Sequence, residues 1–333
     1  MHLTGGFRAF AGVFGGIGLA AAAAIGSAGT AVAQSTPTAA GLYLEAEGQL
    51  VFGASHFDAG LVPPTIMDVT GPGAKRDEGN GLGGALAVGY SWSNGWGAAV
   101  RYRRLDADDS TAPVDTGIMT FVAGLPLVPG GFLVGALGAR TEVESKTSII
   151  DFEVGKDLDV GGGWLHVFGG VTYASIERDV AVISEDCGCV PFSVHFANDF
   201  HGAGPKIGAR GSVPVTGAVS FVGGVSVAAL FGTSKFASRL DDPLFPIPSS
   251  FSDEDRRTVA ALDGHAGIAI GLGPGSLTLG YRIDAMFGAL DTDQRVSPIF
   301  RSAGLPKIGD DHANFVEHGP FARFTLPLSA VSD

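Results

Sequence analysis

Between Gly41 and Leu328 the chain repeats one rhythm: apolar residues at every second position, a long polar connection, alternation again, then a short turn. A period of two belongs to a β-strand, whose successive side chains point to opposite faces. Hydrophobic residues make up 45% of the 333 residues and charged ones only 17%. Yet beyond the N-terminus no apolar run reaches the roughly 18 residues that a spanning helix needs. In lipid every backbone N–H and C=O must find an internal partner, so strands cross a bilayer only as a closed barrel. The expected fold is therefore all-β: an antiparallel transmembrane β-barrel of about 12 strands, with short turns at one end and long loops at the other.

The N-terminus points to the compartment. Arg8 supplies a positive charge, Phe10 to Ile25 an apolar stretch rich in Gly and Ala, and Ala31-Val32-Ala33 a small-residue cleavage site. A retained membrane anchor is the alternative reading of the same residues. The expected organisation is a signal peptide over 1–33, a short periplasmic leader over 34–40, the barrel over 41–328 and a periplasmic tail over 329–333. Such a chain belongs in the outer membrane of a Gram-negative bacterium. Its expected partners are outer-membrane lipid and lipopolysaccharide, small polar solutes and, in an oligomer, further copies of itself. No nucleic acid, cofactor or metal is expected.

The strands follow from the alternation. Leu42, Leu44, Ala46, Leu50 and Phe52 share one face, opposite Glu45, Glu47 and Gln49. Leu82, Leu86, Val88, Tyr90 and Trp92 lie opposite small residues, and Asn94-Gly95 turns the chain. The return run sets Trp96, Ala98, Val100 and Tyr102 against Arg101 and Arg103. Met119 to Leu127 and Leu133 to Val143 read as a fourth and a fifth strand around a turn at Val128 to Gly131. A sixth then places Ile150, Phe152, Val154, Leu158 and Val160 opposite Asp151, Glu153, Asp157 and Asp159. Lys156 falls on the apolar face there, which calls for a snorkelling side chain or a bulge. Long outer loops are expected over 57–79, 177–197, 232–257 and 289–313. Trp92, Trp96 and Trp164 adjoin the short turns, where a membrane interface favours amphipathic rings.

The stretch Phe200-His201-Gly202-Ala203-Gly204-Pro205-Lys206-Ile207-Gly208 resembles the F-x-G-x-G-P-[RK]-x-G segment of the Legionella major outer membrane protein family, also called Lpg1974-like pore-forming outer membrane proteins. The family-like positions are Phe200, Gly202, Gly204, Pro205, Lys206 and Gly208. Phe168-Gly169-Gly170-Val171-Thr172-Tyr173 is similar to the family's G-G-x-R-Y segment, with Thr172 where Arg is usual. His318-Gly319-Pro320-Phe321-Ala322-Arg323-Phe324 resembles its closing G-P-F-x-R strand, although a Ser-Ala-Val-Ser-Asp tail follows where many such barrels end on an aromatic residue. The resemblance implies a pore-forming outer-membrane protein.

Whether the lumen is open is undecided by size, because about 8 strands enclose a filled interior and 16 to 18 leave a channel. The candidate pore-lining residues are Arg101, Arg103, Arg140, Asp151, Glu153, Asp157, Asp159, Lys206, Arg210, Arg282, Asp284 and Arg323. Charges facing a lumen need water or partners. One reading is a hydrated pore of mixed charge that passes small polar solutes. The other is a plugged interior in which these charges pair, the barrel then serving as a surface adhesin or structural protein through its outer loops. Cys187-Gly188-Cys189 lacks a zinc-site spacing and reads as a local disulfide in an oxidising compartment. No nucleophile motif is visible, so the chain is not expected to be an enzyme.

Overall fold

The computed structural model describes residues 40–53, 80–110, 114–116, 137–185, 193–241, 249–291 and 312–328. The expected signal peptide and tail, the leader up to residue 39, the loop 57–79, both cysteines and the fourth strand with its turn all lie outside these residues. The strands are β1 (Gly41–Gly53), β2 (Asn80–Ser91), β3 (Trp96–Ser110), β4 (Val114–Thr116), β5 (Leu137–Val160), β6 (Gly163–Glu185), β7 (Ser193–Thr216), β8 (Val219–Asp241), β9 (Ser249–Leu272), β10 (Gly275–Asp291) and β11 (His312–Pro327). Every pairing is antiparallel, neighbours in sequence are neighbours in the sheet, and β3 pairs with β5. β11 returns to β1, from Tyr43 opposite Pro327 to Gly53 opposite Glu317, and the Leu328 N–H donates to the Leu42 carbonyl at 2.7 Å. The sheet is therefore a closed all-β barrel of ten long strands, with β4 a three-residue addition to the end of β5.

Two of the expected twelve strands are not among the ten: the fourth lies outside the described residues, with β3 pairing directly with β5, and one more is lost by merger. The polar stretch Glu144 to Ser148 reads as a connection, yet the chain runs straight through it, so the expected fifth and sixth strands are one, β5. The same error inflated the loops. β6, β7, β8 and β9 continue through much of 177–197 and 232–257, leaving 186–192 and 242–248 between them. A tilted strand needs only about 9–11 residues to cross a bilayer. These strands have 23 or 24, so their polar upper parts stand above the lipid and lose the apolar alternation there.

The outward faces show where the lipid ends. On β3 they run Trp96, Val100, Tyr102 and then Arg104; on β6, Val167, Val171, Tyr173 and then Glu177; on β8, Phe221, Val225, Val227, Phe231 and then Lys235. At the opposite, short-turn end lie both ends of the described sheet and the turn Trp92–Gly95. There the Gly95 N–H donates to the Trp92 carbonyl at 3.0 Å, and Gly95 adopts φ +80°, a conformation that favours glycine. Lys156 points outward with no bulge: the β3–β5 register is unbroken, and its Nζ lies 5.9 Å from the Trp96 ring centroid at this interface. It snorkels along its stem toward water.

The family-like stretch in β7 sets the wall thickness. Gly204 faces β8 so closely that a Cβ would run into the Ala229 carbonyl, and the β7–β8 ladder passes from Ala203 to Lys206 around Pro205, which has no N–H to give. Replacing Gly204 by Val should cost about 1–3 kcal/mol by overpacking. Gly217→Ala, at a turn where an added Cβ meets nothing within 4 Å, should be neutral. Urea unfolding of vesicle-inserted barrels, followed by tryptophan fluorescence, measures both.

Candidate functional site

Alternation brings residues far apart in sequence onto the inner wall. Glu45 and Glu47 enter from β1, Arg101 and Arg103 from β3, Asp151 and Glu153 from β5, Lys206 and Arg210 from β7, Asp263 from β9, Arg282 and Asp284 from β10, and Arg323 from β11. These six carboxylates and six bases pair with one another. Arg103 Nη1 donates to both oxygens of Asp284 at 2.8 and 2.9 Å and to Asp263 at 3.0 Å. Lys206 lies 3.0 Å from Asp151 and 3.1 Å from Glu153, which also takes Arg210 at 3.2 Å. Glu47 is shared by Arg282 and by Arg323 at 2.7 Å, Arg282 also meets Asp263 at 3.3 Å, and Arg101 holds Glu45 at 2.5 Å.

Aromatic rings complete the packing. Phe321 lies between the guanidinium carbons of Arg282 and Arg323, 5.4 and 5.2 Å from its centroid. Phe168 stands beneath Lys206 and Arg210 at 5.8 and 5.3 Å. Cations over ring faces gain electrostatic attraction in a desolvated setting. Toward the long-strand end the wall becomes apolar. Ile149, Ile176, Phe200, Leu230, Val259, Met286 and Phe315 form one buried cluster directly above the charges. A cavity of about 30 Å³ lies between the two layers and one of about 20 Å³ within the charged layer, each the size of a single water. Among the described residues the inner wall at this level is therefore closely packed. Its charges are paired with one another.

The candidate residues divide accordingly. Arg101, Arg103, Asp151, Glu153, Lys206, Arg210, Arg282, Asp284 and Arg323 meet in the network. Asp157 sits apart near the turn, with its Oδ1 2.6 Å from His166 Nδ1, and Asp159 is exposed at the mouth. Arg140 lies in the upper part of β5 opposite Ile183, far along the strand from the network, and its side chain is outside the described set. Trp92 and Trp96 are exposed on the outer face. Trp164 is not: it shares a face with buried His166 and Phe168 and so looks inward, because β6 carries its lipid face on Leu165, Val167 and Val171. Within the family-like motif Phe200 belongs to the apolar layer, Lys206 to the network, and Pro205 faces outward. The candidate set omitted Asp263, Glu45 and Glu47. The alternation of Leu262, Gly264, Ala266 and Ile268 around Asp263 and His265 carried the missing signal.

Removing one partner of a buried ion pair typically costs about 3–5 kcal/mol. Arg103→Leu, which strands Asp284, should reach that range, and Asp284→Asn added to it should recover part of the loss. Lys235→Ala, whose pairing with Glu254 is half exposed, should cost less than about 1 kcal/mol. Equilibrium unfolding of the three variants checks the ordering.

A family model described as Legionella pneumophila major outer membrane protein precursor matches residues 37–326. No curated protein sequence matches the chain. Among solved structures, the outer membrane protease OmpT from Escherichia coli aligns with a TM-score of 0.45 at 8% identity, covering 87% of this chain and 94% of that one. A major outer membrane protein from Thermus thermophilus aligns at 0.35 and 13%, covering 86% and 99%. CarO from Acinetobacter baumannii aligns at 0.30 and 10%, covering 84% and 96%.

Proposed function

The chain belongs to the Legionella major outer membrane protein family, and from that premise we propose that this outer-membrane barrel is a narrow, gated channel for small polar solutes. The observation that carries the proposal is the sharing of partners inside the network. Glu47, Glu153, Asp263 and Lys206 each contact two opposite charges, so the links Glu47–Arg282, Asp263–Arg103, Asp263–Arg282 and Lys206–Glu153 can each open with both partners still paired. Ion pairs of this kind add little stability over apolar packing. A lumen that served only as a plug would be filled as well by hydrocarbon, whereas charges of both signs suit a path that water and ions enter. The apolar layer at Phe200, Leu230 and Met286 is then the closure, since a hydrophobic constriction gates by excluding water. The proposal includes export with removal of residues 1–33, and it assigns no catalytic step.

The rival is a closed barrel that acts through the part standing above the membrane. An outward-facing concavity of about 840 Å³ across β3 and β5–β9, with Asp108, Glu144, Asp179, His195 and Arg239 in its lining, supports it. Planar-bilayer recording separates the two. The channel reading expects small, intermittent conductance from the folded protein and a higher open fraction after Phe200→Ala. Silence from both proteins, each shown to be folded, leaves the rival.

A further inference from the structure

The network's six carboxylates and six bases balance, and one more buried acid remains beside it. Glu317 follows Phe315 on the inner face of β11 and stands opposite Asp284 in the register with β10. It is 1% exposed, and neither of its carboxylate oxygens has a hydrogen-bond partner. The groups that act on it are Asp284 from β10, Thr147 from β5, and Arg103 and Asp106 from β3. Arg103 is committed to Asp284 and Asp263. Thr147 is also 1% exposed, and its hydroxyl is the neutral donor that faces Glu317. The Glu317 carboxylate and the Thr147 hydroxyl thus face each other, with no counter-charge of their own, at the seam between the ionic network and the apolar layer.

An unpaired carboxylate in such a place needs a counter-charge. A proton can supply one, since each Asp284 oxygen accepts from Arg103 with only one of its two lone pairs, and so can a bound cation. A hard cation satisfies oxygens without bringing a donor. Charge then sets its valence: Asp284 and Arg103 cancel, so Glu317 leaves a single negative charge. We propose that Glu317, with Thr147 Oγ1, is a binding site for one monovalent cation such as sodium. Combined with the conduction proposed above, it makes cations the favoured permeant class; that consequence rests on the channel reading, whereas binding does not.

The test therefore reads stability and not current, so the two claims fail separately. The refolded full-length barrel is heated at fixed pH and ionic strength in sodium chloride or N-methylglucamine chloride, and its midpoint is followed by heat-modifiable mobility. Sodium should raise the midpoint of the wild type, the folded-to-unfolded ratio gaining about tenfold per tenfold of sodium once its concentration is well above the dissociation constant. Glu317→Gln should show equal midpoints in the two salts. Equal midpoints for the wild type mean that a proton neutralises the carboxyl, and an unchanged sodium effect in Glu317→Gln means that bulk salt acts elsewhere; either overturns the site. If Glu317→Gln does not fold, Thr147→Val keeps the shape and removes one ligand oxygen. Its sodium effect should then be weaker, and an undiminished effect overturns the site equally.

Discussion

The closure of β1 on β11 is the constraint on which everything else depends. An open edge in hydrocarbon would leave a row of unsatisfied N–H and C=O groups, each costing several kcal/mol. Pairing from Tyr43–Pro327 to Gly53–Glu317 removes that edge. Once the sheet is closed, strand alternation has only two destinations. Leu44, Val88, Phe152 and Ile207 go to lipid, and Glu47, Arg103, Glu153 and Lys206 go to a lumen too narrow to hydrate each of them separately.

The narrow lumen explains why the charges find one another. Arg103 from β3 reaches Asp284 on β10, and Arg210 from β7 reaches Glu153 on β5, skipping the strand between. The network braces opposite walls of the barrel, while the ladders brace neighbours. Above it the apolar cluster packs the interior toward the long-strand end. Small residues where backbones come closest, Gly204 against Ala229 and Gly319 against Leu50, let the wall draw in far enough for both layers to fill it.

Much of this was legible because a lipid-facing strand is a strong periodic signal. Strand β5 around Phe152 and the hairpin at Asn94-Gly95 could be placed from pattern alone, and so could the inward placement of Arg101, Arg103, Asp151 and Glu153. Three features were not legible in that way. Above the membrane no lipid selects an apolar face, so Glu144 to Ser148 and much of 232–257 look like loop while they are strand. Trp164 beside a turn has the composition of an interface residue, but its face is set by Leu165 and Val167. Partner choice across the lumen depends on barrel diameter and stagger, which local spacing does not reveal. Asp157 with His166 is the exception, since the tight turn at Gly161-Gly162 places them opposite each other.

The proposed closure lies at the level of the paired charges and the apolar layer above them, and a single inward position tests that seal. Ser226 faces the cavity between the two, and it is buried. In a background carrying Cys187→Ser and Cys189→Ser, Ser226→Cys in the folded, membrane-inserted barrel should resist a bulky membrane-impermeant maleimide from either side and react only on unfolding. Rapid labelling of the folded protein from both sides would show a continuous aqueous path and contradict the seal.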